Sequence, residues 1–132
     1  MKFYISTKLN GDFDATVERV KSELAEEDFG VLSDIDVEAT LQKKLGVDFR
    51  KYRILGACNP PFSYKALQAE DKIGTLLPCN VIVQETEPGS IEVAAVDPQA
   101  SMQGVSNAEI ETIAGEIKDR LQKVIDRLTT NK

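Results

Sequence analysis

The chain has 132 residues, of which 42% are hydrophobic and 29% are charged, and these values are typical of one globular domain, expected over residues 1–132. The formal net charge of -6 opposes attraction to phosphate backbones and anionic lipid surfaces, so nucleic acid and membranes are excluded as expected partners. Histidine is absent, which excludes Ser-His and Cys-His catalytic pairs and removes the commonest ligand for zinc, copper and iron.

Hydrophobic periodicity predicts the first three elements. Apolar and polar residues alternate over 3–9, which is the period of a strand. Apolar residues recur at helical spacing over 13–28, and Gly30 is expected to end this helix. Alternation returns over 31–37, which predicts a second strand. One face of this strand would carry the side chains of Val31, Ser33, Ile35 and Val37, and the other face those of Leu32, Asp34 and Asp36.

The middle of the chain predicts shorter elements. Residues 38–45 suit a short helix that ends at Gly46. The apolar segment 52–58 suits an interior strand, in which Gly56 marks a bulge or a close approach of backbone. Pro60 and the proline after it end this strand, since proline donates no backbone hydrogen bond. The later elements are a helix over 62–71, a strand over 79–86 and a strand over 91–96 that pairs back as a hairpin.

The C-terminal part predicts a long amphipathic helix. After a loop over 99–105, Ser106 is a suitable N-cap with Glu109 as its capping-box partner. Aliphatic residues then follow helical spacing over about five turns. Ala114 and Ile125 form a second apolar edge on this helix, where we expect room for a contact with a partner.

The order of these elements predicts an α+β fold, namely a mainly antiparallel sheet with helices packed on one face. The other face of the sheet would then be exposed to water or covered by a second copy. Because its predicted side chains mix polar and apolar types, we expect a homodimer.

The two cysteines lie in segments that echo each other, Ala57-Cys58-Asn59-Pro60 and Pro78-Cys79-Asn80. If their strands are antiparallel neighbours, both sulfurs lie at one end of the sheet, which would permit a dithiol-disulfide pair or a two-thiolate metal site. Against this, neither cysteine has the CxxC spacing of such sites, and buried free cysteine commonly acts as a small hydrophobic residue. No apolar run reaches signal-peptide or membrane-span length, so we expect a cytoplasmic location, where both would be thiols.

Further candidates are the amides of Asn59 and Asn80 and the carboxylates of Asp34, Asp36 and Asp97. The amides suit a polar ligand, although asparagine at a strand end more often bonds to a neighbouring turn. The carboxylates suit acid-base catalysis or a hard cation such as magnesium or calcium. The alternative roles are a solvated sheet face and a turn-stabilising side chain.

One basic cluster reverses the acidic character of the chain. It suits either a phosphate or carboxylate ligand or a solvated surface, and its few neighbouring aromatics make it a weak nucleic-acid footprint. Its members are Lys43, Lys44, Arg50, Lys51 and Arg53.

These segments together resemble the Domain of Unknown Function 302 family. The resemblance rests on RILGACNP over 53–60, LLPCNV over 76–81 and Asp97-Pro98, and it extends over nearly the whole chain. It implies a TATA-binding-protein-like β-α-β(4)-α topology and a homodimer, but no activity and no cofactor, because topology does not confer function. The motif positions of the family, to which it attaches no role, include Asp36, Cys58, Asn59, Cys79, Asn80 and Asp97.

Three functions follow as alternatives. The first is a cytoplasmic homodimeric module that binds a small ligand in a site lined by the Cys-Asn pairs, with Asp97 and Asp36 nearby. The second is a thiol-dependent redox protein or enzyme that uses Cys58 and Cys79. The third is a structural or regulatory interaction domain without a small-molecule site. No metal is predicted, and the sequence names no cofactor and leaves catalysis open.

Overall fold

The structure is a computed structural model that describes residues 2–130; the outer limits of the predicted domain, residues 1 and 132, lie outside this range. In chain order the elements are β1 (Tyr4–Asn10), α1 (Phe13–Glu26), β2 (Gly30–Asp36), α2 (Val37–Leu45), β3 (Tyr52–Cys58), α3 (Pro60–Ala69), a 3-10 helix (Asp71–Leu76), β4 (Cys79–Glu87), β5 (Ser90–Val96), α4 (Pro98–Ser101) and α5 (Ala108–Thr130). The strands form one sheet in the order β1-β5-β4-β3-β2, with antiparallel neighbours. The predicted α+β fold is therefore confirmed.

Helices α1 and α5 pack on one face of this sheet. Helix α1 contacts β4, and α5 contacts β1 and β5. The core lies between these helices and the sheet, because the fully buried aliphatic side chains of both meet there. Each of these side chains stabilises the fold by roughly 1.5–3 kcal/mol. The largest fully buried side chains are those of Leu24, Leu55, Val81, Val83, Val93, Ile110, Leu121 and Leu128, together with four others of the same type.

Both apolar edges of α5 are buried inside the domain, including the edge at Ala114 and Ile125. Ala114 and Ile125 are each only 2% exposed, so the expected partner contact at this edge of the helix is wrong. Helix α5 packs against α1, α3 and α4 as well as against the sheet, and these neighbours cover both of its apolar edges. Within residues 2–130, no helix is long and apolar enough to cross a membrane.

The N-terminus of α5 is capped by Asn107 and not by Ser106, so the predicted cap is wrong by one residue. The Asn107 Oδ1 atom accepts hydrogen bonds from the backbone N–H groups of Glu109 and Ile110, at 2.9 and 3.3 Å. Its Nδ2 atom donates to the carbonyl of Ala69 at the end of α3, at 3.0 Å. An amide carries both an acceptor and a donor, so this one side chain caps α5 and ties it to α3.

Strand β2 contains a bulge that the alternating pattern did not predict. Val31 pairs with Ala57, and Ser33 pairs with Gly56, so Leu32 is an extra residue on β2. A bulge of one residue shifts the following side chains to the opposite face. The prediction that Val31 and Ser33 share a face is therefore wrong, and Leu32 is left 72% exposed.

Most element boundaries differ from the predicted ones by one or two residues, and three differences have a clear physical reason. Helix α1 ends at Glu26, and Asp28, with φ of 68°, takes the left-handed conformation that was expected of Gly30. Helix α3 begins at Pro60 because proline is favoured in the first helical turn, where its missing N–H has no partner. Residues 98–101 form α4 where a loop was predicted. In contrast, β3 has the predicted bounds.

Candidate functional site

The sheet face opposite α1 and α5 carries an open groove with a volume of about 610 Å³. Successive side chains of a strand point to opposite faces. On β4, Val81 and Val83 are therefore buried under the helices, whereas Ile82 and Gln84 line the groove. The strand side chains that form the groove floor are those of Tyr52, Ile82, Gln84, Glu92, Ala94 and Val96.

One wall of the groove is the segment 75–78, which joins the 3-10 helix to β4. The Leu77–Pro78 peptide bond within it is cis. Phe3 and Tyr4, at the start of β1, also line the groove, and their rings meet edge to face with centroids 5.1 Å apart. The groove floor is therefore apolar at Ile82, Ala94 and Val96 and polar at Gln84 and Glu92, and its sides are mainly apolar or aromatic.

Gly56 allows this wall to lie close to the sheet. A Cβ atom at Gly56 would overlap Ser33 Oγ and would lie 3.0 Å from Pro78 Cγ. A close approach at Gly56 was predicted, and the atoms that make it belong to the side chains of Ser33 and Pro78 rather than to another backbone. The bulge offered as the alternative lies opposite Gly56 on β2. The missing side chain at this position is what leaves room for Pro78 and Ser33.

A chain of hydrogen bonds orders one end of the groove. Arg50 Nε donates to Gln84 Oε1 at 2.7 Å, and Gln84 Nε2 donates to Glu92 Oε1 at 2.8 Å. The Arg50 guanidinium also stacks on Phe49, 4.4 Å from the ring centroid, and lies 5.7 Å from that of Tyr52. The Gln84 amide is thus oriented by a charged group on each side.

Several polar groups in the groove remain available to a ligand. Within the described part of the chain, the hydroxyls of Tyr4 and Tyr52 and the amide of Asn80 have no hydrogen-bond partner. Hydroxyl and amide groups both donate and accept hydrogen bonds. A ligand on the apolar floor would therefore find polar groups in more than one direction.

The two cysteines lie at the same end of the sheet, as predicted for antiparallel neighbours, because Cys79 pairs with Ala57, the residue before Cys58. Cys58 is half-buried, and its Sγ atom is 3.2 Å from Ser63 Oγ. Cys79 is only 5% exposed, and both are free thiols. Burial, with a smaller contribution from Cys58, raises the pKa of Cys79 to about 11. Cys79 is therefore a neutral thiol at pH 7, the opposite of an activated nucleophile.

The two asparagines have different surroundings. Asn59 is buried, and its Nδ2 atom donates to the carbonyl of Glu27 at 3.1 Å, which ties the start of α3 to the end of α1. This contact matches the structural role weighed for it in the sequence. Asn80 is exposed and lines the groove, so of the six candidate site residues it alone belongs to the groove lining.

The predicted carboxylate pair is held by protein groups. Asp34 Oδ2 is 2.9 Å from Arg53 Nη1 and 3.0 Å from Lys21 Nζ, and the hydrogen bond to Asp34 raises the pKa of Lys21. Asp36 caps α2 by accepting from the Ala39 N–H, and its other oxygen is 3.7 Å from Arg53 Nε. Among residues 2–130, no three Cys, Asp or Glu side chains cluster as metal ligands would.

The basic cluster does not act as one unit. Arg53 pairs with carboxylates on β2, Arg50 orders the end of the groove, and Lys43 and Lys44 are exposed in the last turn of α2.

Asp97 is 5% exposed and serves as the N-cap of α4. Its Oδ1 atom accepts from the backbone N–H groups of Gln99 and Ala100, at 3.0 and 3.4 Å. Its Oδ2 atom is 3.0 Å from Lys118 Nζ of α5. All of these partners are supplied by the protein, which accounts for the turn-stabilising role weighed for it in the sequence.

The model of the family described as "Domain of unknown function DUF302" matches residues 5–128 of this chain. The chain belongs to the DUF302 family. A crystal structure described as an uncharacterized conserved DUF302 protein from Bacillus stearothermophilus is similar to this DUF302 domain with a TM-score of 0.88; the two are 30% identical, and the match covers 96% of this chain and 98% of that chain. No curated protein matches the sequence of this domain significantly.

We expect replacement of Asp97 by alanine to destabilise this DUF302 domain by about 2 kcal/mol, because α4 loses its cap and Lys118 loses a charged hydrogen-bond partner. Replacement by asparagine keeps a capping oxygen and should cost about half as much. Urea denaturation of both variants measures the difference. Lys118→Met is the control, and additive effects of Asp97→Asn and Lys118→Met would show that the ion pair contributes nothing.

Most residues that line the groove were not predicted as site residues from the sequence of this DUF302 domain. Tyr4, Tyr52 and Glu92 come from three strands, and neither their spacing nor their residue types forms a known motif. The alternation on β4 and β5 was the available signal, since it marks the side chains that point away from the helices. Locating the groove also requires the strand order, which alternation does not give.

Proposed function

We propose that this DUF302 domain is a binding module for a small organic molecule, which it holds in the groove on the uncovered face of the sheet. The observation that carries the proposal is the groove itself, with its apolar floor, its aromatic sides and a few polar groups without protein partners. Its volume of about 610 Å³ lies within the range of roughly 300–1,000 Å³ common for small-molecule sites. The Cys-Asn pairs contribute Asn80 to this site.

A neutral apolar dye tests the proposal. Nile red should bind the full chain with a saturable rise in fluorescence, and amide chemical-shift changes should be confined to the groove strands. Ala94→Phe fills the floor and should weaken binding by tenfold or more. Ala25→Phe makes the same change on the exposed side of α1 and should leave binding unchanged.

The proposal is overturned if Nile red does not bind, or if Ala25→Phe weakens binding as much as Ala94→Phe does. It is also overturned if Ala94→Phe converts a dimer into a monomer, since the groove would then be covered by a second copy of the chain. Sedimentation velocity on the same samples detects that outcome. Circular dichroism verifies that both variants are folded.

The homodimer and the cytoplasmic location expected from the sequence stay predictions, and sedimentation of the full chain tests the first of them. The raised pKa of Cys79 argues against the thiol-dependent alternative, because the thiolate is the reactive form of cysteine.

A further inference from the structure

The groove carries one charged side chain among the lining residues that the structure describes, and that side chain is Glu92 on β5. Glu92 is half-buried. A charge inside a groove is screened by water less than a charge on an open surface. Among the described lining residues, Glu92 is therefore the one charge that a bound ligand would contact directly.

The Glu92 carboxylate is held in position and keeps acceptor capacity. Its Oε1 atom accepts from Gln84 Nε2 at 2.8 Å. Within the described part of the chain, Oε2 has no donor. Because Arg50 occupies the oxygen of the Gln84 amide, the amide presents its nitrogen to Glu92 and fixes the carboxylate. A fixed carboxylate with a vacant oxygen suits a charged donor from a ligand.

We infer that the ligand of this groove is an organic amine, with an apolar body on the floor and a protonated ammonium group that donates to Glu92. This inference rests on the proposed function and names the chemical class of the ligand. The rings of Tyr4 and Tyr52 also line the groove, and each already has a basic side chain of the protein over it, Lys2 and Arg50 respectively. Ile82 and Ala94 supply the apolar floor for the body of the ligand.

Three basic side chains lie near the groove and would repel a cationic ligand. Lys8 lies across from Glu92 on β1, Lys2 Nζ is 5.7 Å from the Tyr4 ring centroid, and Arg50 lies beyond Gln84. All three side chains are exposed and lie outside the groove lining. In water a pair of exposed unit charges about 4 Å apart interacts by about 1 kcal/mol. A direct charge-assisted hydrogen bond to Glu92, worth roughly 1.5–3 kcal/mol, should therefore outweigh the repulsion from each of them.

Three naphthalene derivatives of similar size test the inference by calorimetric titration of the full chain: naphthylmethylamine, naphthylmethanol and naphthylacetate. The amine should bind about tenfold more tightly than the alcohol, as one charge-assisted hydrogen bond allows, and the carboxylate should bind most weakly. Glu92→Gln should bring the amine and the alcohol within about twofold of each other. Glu87→Gln changes the net charge equally outside the groove lining and should preserve the order.

The outcomes separate this inference from the proposed function. If none of the three compounds binds while Nile red does, this inference fails and the proposed function stands; if Nile red also fails to bind, both fail. If all three bind equally, or if the carboxylate binds most tightly, the groove is a ligand site but not an amine site, and the inference alone is overturned. It is also overturned if Glu87→Gln abolishes the preference, since net charge would then be its cause.

Discussion

Replacement of Gly56 by alanine is expected to lower the free energy of unfolding by about 1–3 kcal/mol, the usual cost of overpacking. The added methyl group would overlap Ser33 Oγ and approach Pro78 Cγ to 3.0 Å. In an open strand the same change would stabilise the protein by roughly 0.5–1 kcal/mol, because glycine loses more entropy on folding. The sign of the effect therefore reports the steric contact, and urea denaturation measures it.

Ser33→Ala tests whether steric overlap with Ser33 Oγ causes the destabilisation by Gly56→Ala. This change removes the closest atom, so Gly56→Ala should cost less in the Ser33→Ala background, with a coupling energy of about 1 kcal/mol. Gly104→Ala is the matched control, because a Cβ atom there has no neighbour within 4 Å. A Gly56→Ala protein as stable as the Gly104→Ala protein would contradict the steric explanation.

Raising the pH from 9 to 11 is expected to destabilise the protein through Cys79 by up to about 3 kcal/mol. Burial raises the pKa of this thiol from its ordinary value of 9.0 to about 11. Between these values the unfolded chain has released the Cys79 proton while the folded chain retains it, so stability falls as pH rises. The stabilising contribution is fully present below pH 9 and is lost on passing pH 11.

Other groups also titrate in this range, so the informative quantity is the difference in pH dependence between the native protein and Cys79→Ala. The variant loses packing at every pH, but its stability should fall less steeply above pH 9. Cys58→Ala should keep most of the native slope, because burial of Cys79 is the main cause of the shift. Parallel slopes for the native protein and Cys79→Ala would show that Cys79 ionises normally in the folded state.

The fold was largely predictable because its strands and long helices obey simple periodicities. Strand β3 was predicted with its observed bounds, since it is an apolar segment ended by two prolines. The errors came from tertiary contacts that a local pattern does not contain. Asn107 caps α5 because its amide also reaches α3, and the bulge at Leu32 depends on pairing with β3.

The site was less predictable because its residues are neighbours only across the sheet. The sequence drew attention to cysteines and carboxylates, which are the reactive side-chain types. In the structure Asn59, Asp36 and Asp97 are engaged by the protein itself, and Asn80 lines the groove. Tyr4 and Glu92 reach the same groove because β1 pairs with β5, a pairing between distant parts of the chain.

The strand order has a consequence for how the chain closes into a domain. Strands β2 to β5 pair in sequence as successive antiparallel neighbours, whereas β1 pairs with β5 only when the chain from Asn10 to Ser90 has been closed into a loop. Helix α5, at the other end of the chain, then packs on β1. Contacts of such high sequence separation slow folding, because the entropy of the intervening loop is lost before the contacts form. Strand β1 and helix α5, which come from opposite ends of the described chain, therefore pack against each other. Tyr4 can line the groove only when β1 is paired with β5.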